Sequence, residues 1–117
     1  MILAVLDDLM FSSKIKTTAS RLGVGVLFVR SAAAALDVMR KDSPSLVIFD
    51  LNNPRTDPLG IVRSMKSDPA LEAIPTVGFV SHVQTELIDA ARQAGVGEVM
   101  ARSFFTDRLP DLIGAFK

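Results

Sequence analysis

The sequence predicts an α/β domain in which a parallel sheet carries helices on both faces. Short apolar runs alternate with segments of helical periodicity from end to end. The runs are apolar throughout rather than alternating with polar residues, as in strands covered on both sides. No internal repeat, linker or low-complexity stretch interrupts the series, so residues 1–117 read as one domain, near the commonest domain size.

Ile2 to Leu6 is the first strand, and Ser12 to Leu22 a helix that buries Ile15, Ala19 and Leu22. Gly25 to Val29 is the second strand, followed by a helix from Ala32 to Arg40 with Leu36 and Met39 inward. Ser45 to Phe49 is the third. Pro58 to Ser67 fits a helix whose proline lies in the first turn, where its missing N–H costs nothing. Pro75 introduces the fourth strand, Thr76 to Val80, and Gln84 to Ala94 is a helix closed by Gly95. Glu98 to Ala101 is a short fifth strand, and Asp107 to Phe116 a last helix burying Leu109, Leu112, Ile113 and Phe116.

Composition narrows the function. Apolar residues make up 49% of the chain and the mean hydropathy is +0.35, which excludes a disordered segment. Thirteen basic and thirteen acidic residues cancel, leaving no basic excess to track a nucleic-acid backbone. Without cysteine there is no disulfide, thiolate nucleophile or cysteine-ligated metal, which suits a cytoplasmic protein. Apolar runs of about five residues fall far short of the roughly 20 that cross a bilayer. "MILAVLDD" lacks a basic residue ahead of its apolar run, so it reads as a strand rather than a signal peptide.

"LVIFDLNNP" (46–54) poses the question of function, because a buried run ends abruptly on an acid. In an open parallel sheet, ligands bind outside the carboxyl ends of the strands. The first strand ends in Asp7-Asp8, the third in Asp50, the fourth in Ser81-His82 and the fifth in Arg102-Ser103. Three carboxylates thus converge on one edge with a hydroxyl and a guanidinium. Like charges held close raise one another's pKa unless a cation neutralises them. Oxygen ligands without His or Cys suit Mg²⁺, which takes one or two carboxylates plus waters or a phosphate.

Plainer readings stand beside this one. A single Asp after a strand is commonly a turn or helix N-cap residue, and Asp7 or Asp8 can cap the first helix in that way. His82 has no second His and no Cys, so it is expected in a loop without a metal role. "GVGVLF" (23–28) imitates half a dinucleotide fingerprint but runs into a strand instead of opening a helix. Phe104-Phe105 reads either as an exposed interaction patch or, for one of the two, as the anchor of the last helix in the core, and the anchor is the expectation.

At this point the chain resembles the receiver domain of bacterial two-component response regulators, over essentially its whole length. "VLDDLMFSSKI" looks like the family's acidic pair, "LVIFDLNNP" its phosphoacceptor segment and "FVSH" the position of its switch hydroxyl. "DAARQAGVGEVMARSFF" follows the spacing of its fourth helix, fifth strand and lysine-proline motif. The resemblance implies a flavodoxin-like sheet in the order 2-1-3-4-5. It implies that Asp50 accepts a phosphoryl group from the phosphohistidine of a histidine kinase or phosphotransfer protein. Asp8 would hold Mg²⁺ directly and Asp7 mostly through water, with Asp50 and the Asn52 backbone carbonyl as further ligands, and Ser81 would bond a phosphoryl oxygen. Such a domain is no enzyme beyond slow self-dephosphorylation. It signals by protein–protein contact to an output protein or domain, without membrane or direct nucleic-acid binding. A homodimer would form through the fourth helix (Glu86, Ala90, Gln93), Val99 and the last helix (Asp111, Ala115).

Three departures accompany the resemblance. Arg102 stands where the family has lysine, and it can either clamp Asp50 in a two-pronged ion pair or neutralise a phosphoryl group. Ser103 replaces the following proline, so a trans bond is expected, because a cis bond before a non-proline residue costs about 2.5–4 kcal/mol. Val99 replaces the aromatic that rotates with the switch hydroxyl. A pseudo-receiver that docks without being phosphorylated therefore remains an alternative. A small Mg²⁺-dependent phosphatase would want a second acid where Asn52 stands. A flavodoxin-like cofactor binder would want hydroxyls or glycines where "DDLMFSS" offers acids.

Overall fold

The computed structural model describes residues 1–81 and 84–116. Five parallel strands form one sheet in the order β2-β1-β3-β4-β5: β1 (Ile2–Val5), β2 (Val26–Val29), β3 (Leu46–Asp50), β4 (Thr76–Val80) and β5 (Glu98–Ala101). Five helices connect and follow them: α1 (Leu9–Arg21), α2 (Ala32–Asp42), α3 (Pro58–Lys66), α4 (Thr85–Ala94) and α5 (Arg102–Ala115). The predicted strand order and the predicted helix count are both found. His82 lies outside the described residues.

Successive strand residues face opposite sides, and the core is accordingly double. Ile2, Ala4, Ile48, Val77 and Phe79 pack under α1 and α5, against Phe11, Ile15, Phe105 and Leu109. Leu3, Val5, Val47, Phe49 and Val80 pack under α2, α3 and α4, against Met39, Val62, Met65 and Ala91. The three central strands are buried on both sides, as their continuous apolar runs predict. The outer strands β2 and β5 are only partly covered, so there the expectation of two buried faces fails. They lie at the sheet edges, where fewer helices reach.

Two helices begin earlier than the sequence suggests. α1 starts at Leu9 rather than Ser12, because Asp8 is its N-cap and accepts a hydrogen bond from the Phe11 N–H at 3.0 Å. α5 starts at Arg102 rather than Asp107, with Ala101 as its N-cap residue. Arg102 and Ser103 therefore form its first turn and not a strand end or loop. With this earlier start, Pro110 falls inside the helix. An interior proline costs about 3 kcal/mol or more. The packing of Phe105, fully buried against Phe79 at 4.8 Å between ring centroids, offsets that cost and draws the helix back to β5. Phe104, its neighbour, is half exposed. No cis peptide bond occurs among the described residues.

Candidate functional site

The carboxyl ends of β1, β3 and β4 meet the N-termini of α1 and α5 at one edge of the sheet. Asp50 is the last residue of β3 and pairs in register with Phe79 of β4. It shares the parity of Leu46 and Ile48, so its carboxylate turns toward the α1–α5 side. There it meets Asp8, the cap of α1, and Arg102, the first residue of α5.

Asp50 is buried, with 6% of its surface exposed. Burial raises its pKa above the ordinary carboxylate value, and the Asp8 and Asp7 charges add to the rise. The Asn52 backbone hydrogen bond and the Arg102 guanidinium oppose it. Its two oxygens are differently employed. Oδ1 accepts the Asn52 N–H at 3.0 Å, whereas Oδ2 faces Arg102.

The Arg102 Nη2 atom stands 3.8 Å from Asp50 Oδ2 and 3.9 Å from Asp8 Oδ2. These are ion-pair distances, longer than hydrogen bonds, and one nitrogen serves both acids. The two-pronged clamp on Asp50 is not formed. Instead the guanidinium carbon lies 4.9 Å from the Phe11 ring centroid and 5.5 Å from that of Phe79, within cation–π range. Arg102 Nε is buried and has no hydrogen-bond partner among the described residues. Asp7 takes a separate counter-ion, Arg55, at 3.7 Å.

The two loops beyond β3 and β4 are tied together by Asn52. Its Oδ1 accepts the Ser81 N–H at 2.6 Å and its Nδ2 donates to Gln84 Oε1 at 2.5 Å. Only the Asn52 carbonyl was expected to take part, yet its side chain is what links the loop after Asp50 to the Ser81 loop. Asn53 caps the following 3-10 turn (Pro54–Thr56), accepting from the Arg55 N–H at 3.0 Å. An open cleft of about 700 Å³ is lined by Asp7, Asp8, Asp50, Asn52 and the basic pair Arg30 and Arg55. A second, of about 600 Å³, runs between α1 and α5 and is lined by Asp8, Phe11, Ser81 and Arg102. Asp8 belongs to both.

All the predicted site residues thus gather at this edge. Asp7 and Asp8 are half-buried, Asp50 is buried and Ser81 exposed. Among the described residues, no three acidic, histidine or cysteine side chains close around a single point as metal ligands. The donor chemistry nonetheless fits a hard cation, because Asp8 and Asp50 already share a positive charge between them and Mg²⁺ asks for only one or two carboxylates. Phe11, Phe79 and the Asn52 side chain were missed by sequence reasoning. Two phenylalanines at helical and strand positions give no signal beyond core packing, and their shared use depends on where α5 begins.

No protein-family model matches the chain. It is 32% identical over 115 residues to protein-glutamate methylesterase/protein-glutamine glutaminase 5 of Myxococcus xanthus, covering 94% of this chain and 33% of that protein. The chain thus spans about a third of that relative's length. It is 23% identical over 94 residues to the polar-differentiation response regulator DivK of Brucella ovis, covering 80% of this chain and 76% of that one. A response regulator from Hahella chejuensis superposes with a TM-score of 0.87 at 20% identity, over 98% of this chain and 92% of that chain. The Mn²⁺-bound form of response regulator Rcp1 does so with a TM-score of 0.77 at 20% identity, over 97% and 88%. The fold is the flavodoxin-like fold of response-regulator receiver domains. The sequence resembles response regulators as well. Among the described residues, no helix is long and apolar enough to cross a membrane.

Proposed function

We propose that this chain is a two-component receiver domain spanning residues 1–117, which accepts a phosphoryl group on Asp50 and signals through protein–protein contacts. The observation that carries this reading is the single buried carboxylate at which an acid from the β1 end and a cation from the β5 end converge. Phosphoryl transfer asks for an in-line nucleophile, a metal and positive charge for the equatorial oxygens, and little else. Asp50 Oδ1 is engaged by the Asn52 N–H, so Oδ2 is the attacking oxygen. It bonds to the phosphorus of a donor phosphohistidine as the P–N bond breaks, and the electron pair returns to the imidazole. Raising the pKa of a carboxylate increases its basicity and hence its nucleophilicity.

Asp8 and Asp50 would hold Mg²⁺, with Asp7 through water and the Asn52 carbonyl as a further ligand. The ion supplies neutralisation of the phosphoryl oxygens. Ser81, linked to the acceptor loop through its N–H and Asn52, is placed to bond a phosphoryl oxygen. Arg102 adds the counter-charge that lysine supplies in the family. The donor is a histidine kinase or phosphotransfer protein in the cytoplasm, and the output surface is α4, β5 and α5, by which the chain can also pair with a second copy. No hydrolytic activity of its own is proposed. The methylesterase activity belongs to the Myxococcus protein.

A second reading is favoured by the pairing of Arg102 with both Asp50 and Asp8: a pseudo-receiver that docks without being phosphorylated. Incubation with acetyl phosphate and Mg²⁺, followed by intact mass measurement, separates the two. The receiver gains one phosphoryl group, and Asp50→Ala gains none. An unmodified wild-type chain would leave the docking module, and labelling that survives Asp50→Ala would remove Asp50 as the acceptor.

A further inference from the structure

We infer that Arg102, seated on the rings of Phe11 and Phe79, acts as a built-in counter-ion for the Asp8–Asp50 pair, so that the guanidinium and a divalent cation bind there in opposition. The inference rests on the proposed metal role of Asp8 and Asp50 and adds to it a residue that sets metal affinity without ligating. Three observations converge. One Nη2 atom of Arg102 is nearly equidistant from the two carboxylates, at 3.8 and 3.9 Å, as a shared cation would be. The guanidinium plane is held from behind by ring contacts at 4.9 and 5.5 Å rather than by hydrogen bonds, and its Nε is buried without a partner among the described residues. An arginine so placed is positioned by ring faces and by the charge of two carboxylates, with no side-chain hydrogen bond of its own among the described residues. Finally, Asp8 holds two roles at once. Its Oδ1 caps α1 through the Phe11 N–H while its Oδ2 faces Arg102, so the ring and the acid that seat the guanidinium are set by one turn of helix.

Phe11 is thus a positioning residue: it carries no charge, lies 6% exposed, and acts on the metal only through Arg102. Phe105 completes the support, stacking on Phe79 at 4.8 Å and on Phe11 at 5.8 Å, so the seat is a rigid three-ring floor. A cation entering the Asp8–Asp50 pair meets a site whose charge is already partly cancelled. It must push the guanidinium off its rings.

The test is an amide NMR titration with Mg²⁺ on wild type, Arg102→Met, Phe11→Leu and Phe11→Trp, with the Arg102 Nε–Hε resonance followed in those that retain it. In the metal-free wild type that resonance carries the upfield shift of a group over ring faces, and it moves toward its unshifted position as Mg²⁺ saturates. Arg102→Met binds Mg²⁺ at least about tenfold more tightly, from removal of a charge about 4 Å away. Phe11→Leu tightens it about two- to fivefold although no charge is lost, from release of the cation–π contact. Phe11→Trp restores or exceeds the wild-type opposition. Phe11→Leu is the variant most exposed to unfolding, and the wild-type Nε–Hε shift tests the seat without it. An Arg102 resonance indifferent to Mg²⁺ would overturn the inference, as would Arg102→Met binding no better than wild type, including the case in which neither binds. Tightened Mg²⁺ binding in a chain that acetyl phosphate cannot label would sink the phosphoacceptor reading while leaving this inference standing. Labelling with Mg²⁺ affinities unchanged would do the reverse.

Discussion

Two arginines stand beside one acidic cluster at nearly the same distance, and they are not equivalent. Arg55 reaches Asp7 at 3.7 Å with 84% of its side chain exposed. Arg102 reaches Asp50 at 3.8 Å with 34% of its side chain exposed, and the side chain of the aspartate it faces is only 9% exposed. Water screens the first pair, and a flexible side chain must be ordered to make it, so such pairs contribute between nothing and about 1 kcal/mol. The second lies against aromatic rings where screening is poorer and a carboxylate has lost its hydration. Surroundings, more than the distance between charges, decide what an ion pair contributes.

The comparison is sharpened most by Asp8, which belongs to the covered side. Asn caps helices about as well as Asp, whereas Ala does not. Asp8→Ala should therefore be less stable than Asp8→Asn by about 1 kcal/mol, several degrees in Tm for a domain near this size, although both remove the same charge. Equal melting temperatures would show that the Phe11 N–H bond contributes nothing and that Asp8 serves charge alone.

Asp50→Asn comes next, and its sign is opposite. Because the folded-state pKa of Asp50 is raised, the folded protein binds its proton more tightly than the unfolded chain. Its cost to stability is fully present at neutral pH, above the folded value. It disappears as pH falls through that value toward the unfolded one, near 3.9. Asp50→Asn should accordingly be more stable than wild type at pH 7, by up to about 1 kcal/mol, with the difference closing below about pH 4. Denaturation measured across that range checks it. A gap that widens on acidification would mean that Arg102 stabilises the ionised form by more than burial disfavours it.

The smallest effect is expected at Arg55. Arg55→Ala should change stability by less than about 0.5 kcal/mol, and added salt should erase what difference there is. A larger change, persisting in salt, would break the contrast between the two arginines.

Much of the site was legible in the sequence because strand ends are where apolar runs stop. The places of Asp7, Asp8 and Asp50 follow from three such stops and from the parallel order of the sheet. Arg102 and its pairing with Asp50 were identified, but its further partners Asp8, Phe11 and Phe79 were not. Apolar spacing places the last helix from Asp107, and local propensity gives no signal for an earlier start that leaves Pro110 in its interior. Tertiary burial of Phe105 extends the helix back to β5, placing Arg102 in its first turn beside Phe11 rather than at a strand end. The Asn52 side chain escaped notice for a related reason. Its partners, Ser81 and Gln84, lie about thirty residues away in the chain, and only the pairing of β3 with β4 brings them close.

The interior proline has a mechanical consequence. α5 follows β5 with no intervening loop, so Arg102 is fixed to the end of a helical beam of 14 residues, about 21 Å long. At the far end of that beam, the Phe116 carbonyl is anchored by the Ser45 hydroxyl at 2.9 Å. A uniform rod would transmit any backbone displacement at Arg102 straight to that anchor. Pro110 cannot donate to the carbonyl four residues earlier, which leaves one rung missing near the middle. Flexure concentrates where a rung is absent. The half of α5 that bears Arg102 is thereby mechanically separated from the half that closes the opposite edge of the sheet.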